Sequence, residues 1–376
     1  MNGLRLGSVL GFEIRVDYSW FIIFFLILWS FSAGVFPQAV PGLAPASYLA
    51  MGAAGALLFF ASLLAHELSH SVVARSKGVP VEGITLFIFG GMAHTRREAE
   101  TPGDELLIAG VGPLASLVLG VLFAAIWWVG TMLALPAPIP AVARYLAFVN
   151  VILALFNLLP GFPLDGGRVF RALAWRATGD RAKATRWASA GGQWLGYGLM
   201  ALGILQVLGG AVLGGLWLVF IGWFLRTAAV FSFKQDVLRG MLDGVPARDL
   251  MTADPNTVPP DLDLADLVDD HVLRQRHHGF PVTEYGELVG LVTLEQVKRT
   301  PRDQWHQTHV RDVMLTGAEF TVDPDESMSR VLEQLGGEGP GRVVVARGTR
   351  VLGIISNSDV ARWVQREQEL GELRAG

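Results

Sequence analysis

Residues 61–78 read ASLLAHELSHSVVARSKG and end a long apolar run that begins near position 48. Residues four apart on a helix share one face, so His66 and His70 can present imidazole nitrogens to one metal ion. Glu67 lies one residue further on than His66 and can reach a water molecule at that metal. The stretch therefore predicts a catalytic zinc site at the end of an apolar helix.

The composition of the 376-residue chain changes at about residue 235. Up to Phe233 the sequence consists of long uncharged runs rich in Leu, Ala, Val, Phe, Trp and Gly, which is typical of a membrane domain. After Lys234 it is that of a soluble protein. We therefore predict a membrane domain at 1–235 and a soluble domain at 236–376.

The absence of cysteine excludes disulfides, thiolate metal sites and cysteine nucleophiles, so any metal must be held by His, Asp or Glu. The net charge of −4 includes an acidic stretch in the soluble part, and it argues against nucleic acid as a partner.

Six segments approach the roughly 20 residues that a helix needs to cross a hydrocarbon core. They lie at 18–36, 48–74, 105–133, 141–159, 187–208 and 211–232. The first follows Glu13 and Asp17, so we interpret it as a retained span and not as a signal peptide. Glycines 209 and 210 predict a tight hairpin between the last two.

Residues 82–95, EGITLFIFGGMAHT, contain the β-branched and aromatic residues of a strand or hairpin. Extended backbone at membrane depth requires protein or a water-filled cavity around it. The expected fold is a polytopic α-helical membrane protein of about six transmembrane helices with a short membrane-associated β segment, followed by a soluble α/β domain.

Basic residues in short loops mark the cytoplasmic side of a membrane. They precede the first predicted span and follow the second, fourth and sixth: Arg5, Arg15, Arg75, Lys77, Arg96, Arg97, Arg168, Arg171, Arg176, Arg181, Lys183, Arg186, Arg226 and Lys234. The opposite side holds only Arg144. We expect a multi-pass protein of the cell membrane, the plasma or inner membrane of a prokaryote, with both termini in the cytoplasm.

A third metal ligand must come from elsewhere in the sequence. The fourth predicted span ends in NLLPGFPLDGGR, residues 157–168. Asp165 is the strongest carboxylate candidate, because Pro and Gly shape the turn around it and because it lies at the same predicted depth as His66 and His70. A loop aspartate that caps the following helix is the alternative interpretation.

The HExxH motif at residues 66–70, the NxxPxxxLDGG motif at 157–167 and the glycine pair at 90–91 resemble the site-2 protease family of intramembrane zinc metalloproteases, peptidase family M50. The resemblance implies a zinc metalloendopeptidase with one zinc ion per chain, held by His66, His70 and Asp165. Glu67 would be its catalytic acid and base. Its substrates would be transmembrane proteins cut near the cytoplasmic face, as in regulated intramembrane proteolysis.

Three further residues are candidates for positioning the substrate: Asn157, Gly90 and Gly91. A substrate helix must unwind to be cut, and an exposed edge within 82–95 could accept the extended segment by strand addition. For Asn157, the alternative is an amide that is satisfied by neighbouring helix backbone.

The soluble part contains an internal repeat. Its units open at 245–251 and 309–314, and they close at 290–297 and 353–360. The repeat resembles a tandem pair of CBS domains, at about 244–300 and 308–366. The resemblance implies adenine-nucleotide binding through Ser356 and Asp359, and through Thr293 in the first unit, where Gln296 replaces the aspartate. A dimerisation module without ligand, forming a homodimer through the CBS pair, is the alternative.

A CBS-containing membrane transporter or channel is the main alternative function. A transporter or channel is expected to have ionisable residues at the membrane midplane. Here they cluster at one end of the helices in a metal-ligand pattern, which favours the protease.

Overall fold

The computed structural model describes residues 3–88, 90–95, 99–242, 244–275, 278–317, 319–336 and 341–375. Arg96 and Arg97, two of the basic residues used for the orientation, lie outside this range. The chain divides into two compact units, Met1–Asp236 and Val237–Gly376.

The first unit begins with a β-hairpin and continues mainly as helices. In chain order its elements are β1 (Gly3–Val9), β2 (Phe12–Asp17), α1 (Tyr18–Ser30), a π-helical turn (Phe31–Val35), α2 (Phe36–Ala39), α3 (Pro45–Ser76), β3 (Val81–Phe87), β4 (Gly90–Thr95), α4 (Pro102–Met132), α5 (Pro138–Asn157), α6 (Asp165–Thr178), α7 (Arg181–Leu208) and the part of α8 (Val212–Leu242) up to Asp236.

Among the described residues, five helical segments are long and apolar enough to cross a membrane. They are Tyr18–Ala39, Pro45–Ser76, Pro102–Met132, Pro138–Asn157 and Val212–Leu242. The other predicted span, 187–208, lies within α7, which is long enough. Its polar Gln193 and Gln206 make it less apolar than the five.

Helices α7 and α8 approach each other closely through glycines. A Cβ on Gly196 would lie 2.6 Å from the carbonyl oxygen of Gly222, and one on Gly203 would lie 2.5 Å from that of Gly215. Such small residues let two helix backbones pack in direct contact inside a membrane. The predicted helical hairpin is therefore observed, with its turn at Gly209 and Gly210.

The strands form one four-stranded sheet in the order β1-β2-β3-β4. The two hairpins are antiparallel, and β2 pairs with β3 in parallel. The buried side chains of β2 and β3 pack against Leu64 and Leu68 of α3: Ile14, Val16, Ile84 and Leu86. The sheet therefore lies beside the turns of α3 that carry His66 and Glu67, and β4 forms one of its edges.

The second unit contains short helices and paired strands. In chain order these are α9 (Ala247–Leu250), β5 (Thr252–Ala253), α10 (Leu264–Asp266), a π-helical turn (Leu267–Val272), α11 (Leu273–Gln275), β6 (Gly279–Glu284), β7 (Glu287–Thr293), α12 (Leu294–Arg299), a 3-10 turn (Arg302–Gln304), α13 (Val310–Val313), β8 (Thr321–Val322), α14 (Met328–Gly336), β9 (Arg342–Arg347), β10 (Arg350–Ser356) and α15 (Asn357–Ala375).

Each half of the second unit has a core of its own. One sheet has the order β5-β10-β9-β8, and β6 pairs with β7 in another. The buried apolar side chains form separate clusters that include, in the first half, Val258, Leu264, Phe280 and Val292, and in the second half, Val331, Val343, Val345 and Ile355.

Candidate metal centre

The end of α3 and the start of α6 bring three potential ligands together. The Asp165 Oδ2 atom lies 3.0 Å from His66 Nε2 and 3.2 Å from His70 Nε2, and the two Nε2 atoms are 3.2 Å apart. The side chains of His66, His70 and Asp165 are 3%, 13% and 17% exposed. Three donor atoms thus converge in a site that is largely shielded from solvent.

These donors suit zinc. Two imidazole nitrogens and one carboxylate oxygen form a donor set that catalytic zinc sites use, with a further position left for water. One potential ligand atom from each of the three residues lies within 4.8 Å of the other two. The chemistry and the convergence of the side chains therefore fit a zinc ion.

Glycines place Asp165 next to the histidines. A Cβ on Gly166 would lie 2.3 Å from the carbonyl oxygen of Leu158, and one on Gly167 would lie 2.4 Å from the carbonyl carbon of Gly161. Any larger residue would therefore push the first turn of α6 away from the loop that follows α5. This close approach is why the sequence has two glycines directly after Asp165.

Two groups on α4 hold the histidine rings at their other nitrogen. The Nδ1 atom of His66 lies 2.9 Å from Ser116 Oγ, and His70 Nδ1 lies 2.6 Å from the carbonyl oxygen of Ile108. Between them, Gly112 faces both Nε2 atoms. Sequence reasoning missed these residues, although their spacing of four along an apolar helix could have indicated one common face.

Glu67 lies beside the edge strand β4. A Cβ on Gly91 would be 2.3 Å from Glu67 Cγ and 3.2 Å from its Oε1 atom. Gly90 has a φ of +139°, a backbone conformation that residues with a side chain rarely adopt. A Cβ at this position would meet nothing within 4 Å. The glycine pair therefore lets β4 pass directly over the carboxylate.

Asn157 ends α5, and its amide donates to the carbonyl of Leu153 at 3.0 Å. That hydrogen bond satisfies one of its donors within its own helix. Sequence reasoning missed Asn150, which is fully buried and donates to the Leu146 carbonyl and to Ser62 Oγ.

An ion pair connects α6 with the start of α4. Arg171 donates from Nε and Nη2 to Glu105 Oε1, at 2.6 and 2.5 Å, and both side chains are 6% exposed. Arg171 Nη1 also lies 3.5 Å from Asp236 Oδ1. Arg171, one of the basic residues that mark the predicted cytoplasmic side, is therefore buried.

In the second unit, Asp359 in the first turn of α15 contacts Ser356, the last residue of β10. Asp359 Oδ2 accepts from the Ser356 backbone N–H at 2.8 Å and from its hydroxyl, and Oδ1 accepts from Thr252 at 3.0 Å. Burial alone would raise the pKa of Asp359, but these hydrogen bonds and nearby Arg362 lower it below the usual value. Gln296 makes the equivalent contact to the Thr293 N–H, at 3.1 Å.

The first residues of α12 and of α15 line one cleft of about 310 Å³. Its walls include residues from both halves of the unit: His278, Thr293, Glu295, Arg342, Ser356 and Ser358. Burial lowers the pKa of Arg342, while the negative charge of Asp359 opposes that shift. The cleft thus combines hydroxyl groups and the Glu295 carboxylate with a half-buried guanidinium, which is a group that can bind an anion.

Comparisons with known proteins match both units. Residues 54–136 and 133–197 match the model of peptidase family M50, and residues 247–302 and 310–366 match that of the CBS domain. Rip3 of Mycobacterium tuberculosis, named as a zinc metalloprotease, is 40% identical over 366 residues, which cover 96% of this chain and 93% of Rip3.

A protein of Synechocystis sp., also named as a zinc metalloprotease, is 33% identical over 370 residues, which cover 97% of this chain and 96% of that protein. Among solved structures, the site-2 protease from Methanocaldococcus jannaschii is 24% identical with a TM-score of 0.41, and the match covers 62% of this chain and 95% of that one.

Apolar helices, the family match and these relatives define the class, a metalloprotease of the membrane that carries a CBS-domain pair. The chain belongs to peptidase family M50. The resemblance stated from the sequence motifs is confirmed, and the transporter or channel is set aside.

Proposed function

We propose that the chain is an intramembrane protease whose single zinc ion is held by His66, His70 and Asp165. The observation that carries this proposal is the convergence of two Nε2 atoms on one carboxylate oxygen in a largely buried site. Zinc in that position would activate a water molecule and polarise the scissile carbonyl. Residues 1–235 would form the protease domain, and 236–376 the CBS pair.

Glu67 is the proposed general base and acid. It follows His66 on α3, is half-buried, and lies against Gly91 of the edge strand. Its carboxylate accepts a proton from the attacking water and returns it to the leaving amine. A peptide on the open side of β4 would pass close to that carboxylate.

The proposed substrate is an extended segment of a transmembrane protein that binds at this edge. An extended segment of a transmembrane protein would add to β4 as a further strand, with backbone hydrogen bonds supplying much of the affinity. Gly90 and Gly91 leave room for it, and Asn157 would help to orient it by exchanging its hydrogen bond to Leu153 for one to substrate. The charge distribution supports cleavage near the cytoplasmic face, with both termini in the cytoplasm.

The CBS pair is the proposed regulatory element. We assign an adenine nucleotide to the cleft that Thr293, Ser356 and Arg342 line, with Asp359 stabilising the wall of the cleft. The alternative role of the pair, a homodimer contact, would leave that cleft without a ligand.

The decisive experiment compares Glu67→Gln with His66→Ala, His70→Ala and Asp165→Ala in purified protein. Glu67→Gln should retain one zinc per chain and lose cleavage of a transmembrane substrate, because it removes the proton acceptor and keeps the ligands. The three ligand variants should lose zinc itself. Substantial cleavage by Glu67→Gln, or full zinc content in Asp165→Ala, would contradict the assignment.

A further inference from the structure

One face of α4 contacts the metal centre over two helical turns. Ile108, Gly112 and Ser116 are four residues apart, and each meets His66 or His70 of α3. Residues at this spacing lie above one another on a helix. The α4 face consists of the Ile108 carbonyl, Gly112 and Ser116.

The Ile108 carbonyl determines which nitrogen of His70 is available. A carbonyl oxygen can only accept, so the 2.6 Å contact requires the proton of His70 on Nδ1. The Nε2 lone pair then points toward Asp165, 3.2 Å away. The ring is thus held in the tautomer that a metal ligand needs.

Ser116 contacts the corresponding nitrogen of His66. Its side chain is fully buried, and its Oγ lies 2.9 Å from His66 Nδ1, on the side of the ring opposite Nε2. A hydroxyl oxygen that accepts from Nδ1 orients the ring and raises the basicity of Nε2.

Gly112 keeps the space between the two ligand nitrogens open. A Cβ at this position would lie 2.1 Å from His70 Nε2 and 2.7 Å from His66 Nε2. Both distances are far shorter than any non-bonded contact allows, and the methyl group would collide with both Nε2 atoms. Any side chain at position 112 would therefore displace the rings or occupy the ion's place.

We propose that the α4 face is the positioning surface of the metal centre: the Ile108 carbonyl sets the tautomer and direction of the His70 ring, Ser116 holds the direction of the His66 ring, and Gly112 reserves the volume of the ion. This inference rests on the proposed zinc site. Its residues touch the ligands and not the substrate, so their effect should appear first in metal affinity. Loss of such a partner typically costs about 10- to 100-fold in affinity.

The test measures zinc affinity by chelator competition in purified full-length protein, together with the thermal midpoint of the metal-free form. Gly112→Ala should bind zinc about 100-fold more weakly than wild type, at the upper end of that range. Gly110→Ala is the matched control, because it lies on the same helix and its Cβ would meet nothing within 4 Å. It should bind zinc as the wild type does.

Ser116→Ala is the second variant, and it should weaken zinc binding by about 10- to 100-fold. Its control is Ser189→Ala, another buried helix serine, whose hydroxyl donates to the carbonyl of Ala229 at 2.9 Å. Both serine variants should lower the metal-free midpoint similarly, and only Ser116→Ala should lower zinc affinity.

Wild-type affinity in both Gly112→Ala and Ser116→Ala would overturn the inference while the zinc site stands. Equal weakening by the paired controls would also overturn it, because the effect would then be general destabilisation. A wild-type protein without zinc would instead contradict the proposed function.

Discussion

Arg171 and Glu105 form a buried ion pair, and the contribution of each residue to stability depends on the other. Arg171 lies on α6 together with Asp165, and Glu105 lies in the first turn of α4. Removing one partner of a buried pair leaves an uncompensated charge and typically costs about 3–5 kcal/mol. Replacing both by apolar residues of similar volume is far less costly.

Glu105→Ala should therefore lower the thermal unfolding midpoint of the detergent-solubilised protein clearly, and Glu105→Leu combined with Arg171→Met should recover a large part of the loss. Lys77→Met provides the comparison, because Lys77 contacts Asp104 in a pair that is partly exposed and should leave the midpoint almost unchanged. If the double variant were less stable than Glu105→Ala, the lower midpoint of Glu105→Ala could not be attributed to the unpaired Arg171.

The residues of the centre differ in how visible they are in the sequence. His66, Glu67 and His70 could be predicted because their spacing is local on one helix, and Asp165 because an unusual Pro- and Gly-rich turn surrounds it. The spacing of Gly112 and Ser116 places them on one face of α4, but neither they nor Glu105 carry a signal that connects them with the histidines. Their roles depend on which face of α4 meets α3 and α6, and a single apolar sequence does not determine that.

At the scale of elements, the pairing of the strands beside α3 determines which of them lies at an edge of the sheet. Composition predicted strands at 82–95, and the structure forms β3 and β4 there. The parallel pairing of β2 with β3 was not predictable, because α1 and α3 separate them in sequence. That pairing places β4 at an edge and brings Gly91 against Glu67.

Strand addition can be tested by cross-linking, because the chain contains no native cysteine. In a Glu67→Gln background, Met92→Cys on β4 should cross-link to single cysteines next to the scissile bond of a substrate. Val9→Cys is the matched control, since it lies on β1 at the opposite edge, and the two side chains are 41% and 39% exposed. Equal cross-linking at both positions would rule out β4 as the specific docking edge.

At the scale of the whole molecule, the apolar helices and the loop charges together predict the topology. The exposed residues Arg176 and Ala44 lie on opposite predicted sides of the membrane. A membrane-impermeant thiol reagent should label Arg176→Cys only from the cytoplasmic face and Ala44→Cys only from outside. Labelling of position 176 from outside would reverse the orientation and the inferred depth of the metal centre.

The CBS pair could be predicted as a repeat, but its cleft could not. Gln296 in place of an aspartate suggested weak nucleotide binding by the first half. In the structure, Gln296 accepts from the backbone N–H of Thr293 as Asp359 accepts from that of Ser356. Both residues therefore stabilise helix starts. For this reason Asp359→Ala is a poor probe of ligand binding, because it would also weaken the start of α15.

Arg342 is the better probe of the proposed nucleotide site. It lines the cleft and is half-buried, and a guanidinium is a group that binds phosphates. In full-length protein, Arg342→Gln should weaken ATP and AMP binding measured by calorimetry at least tenfold, while Arg350→Gln, an exposed residue on the next strand, should not. A nucleotide that binds two states of the protein unequally, by about 1–3 kcal/mol, should also change the cleavage rate. Unchanged binding in Arg342→Gln would exclude this cleft, and a wild-type protein that binds neither nucleotide at millimolar concentration would leave the CBS pair as a dimerisation element.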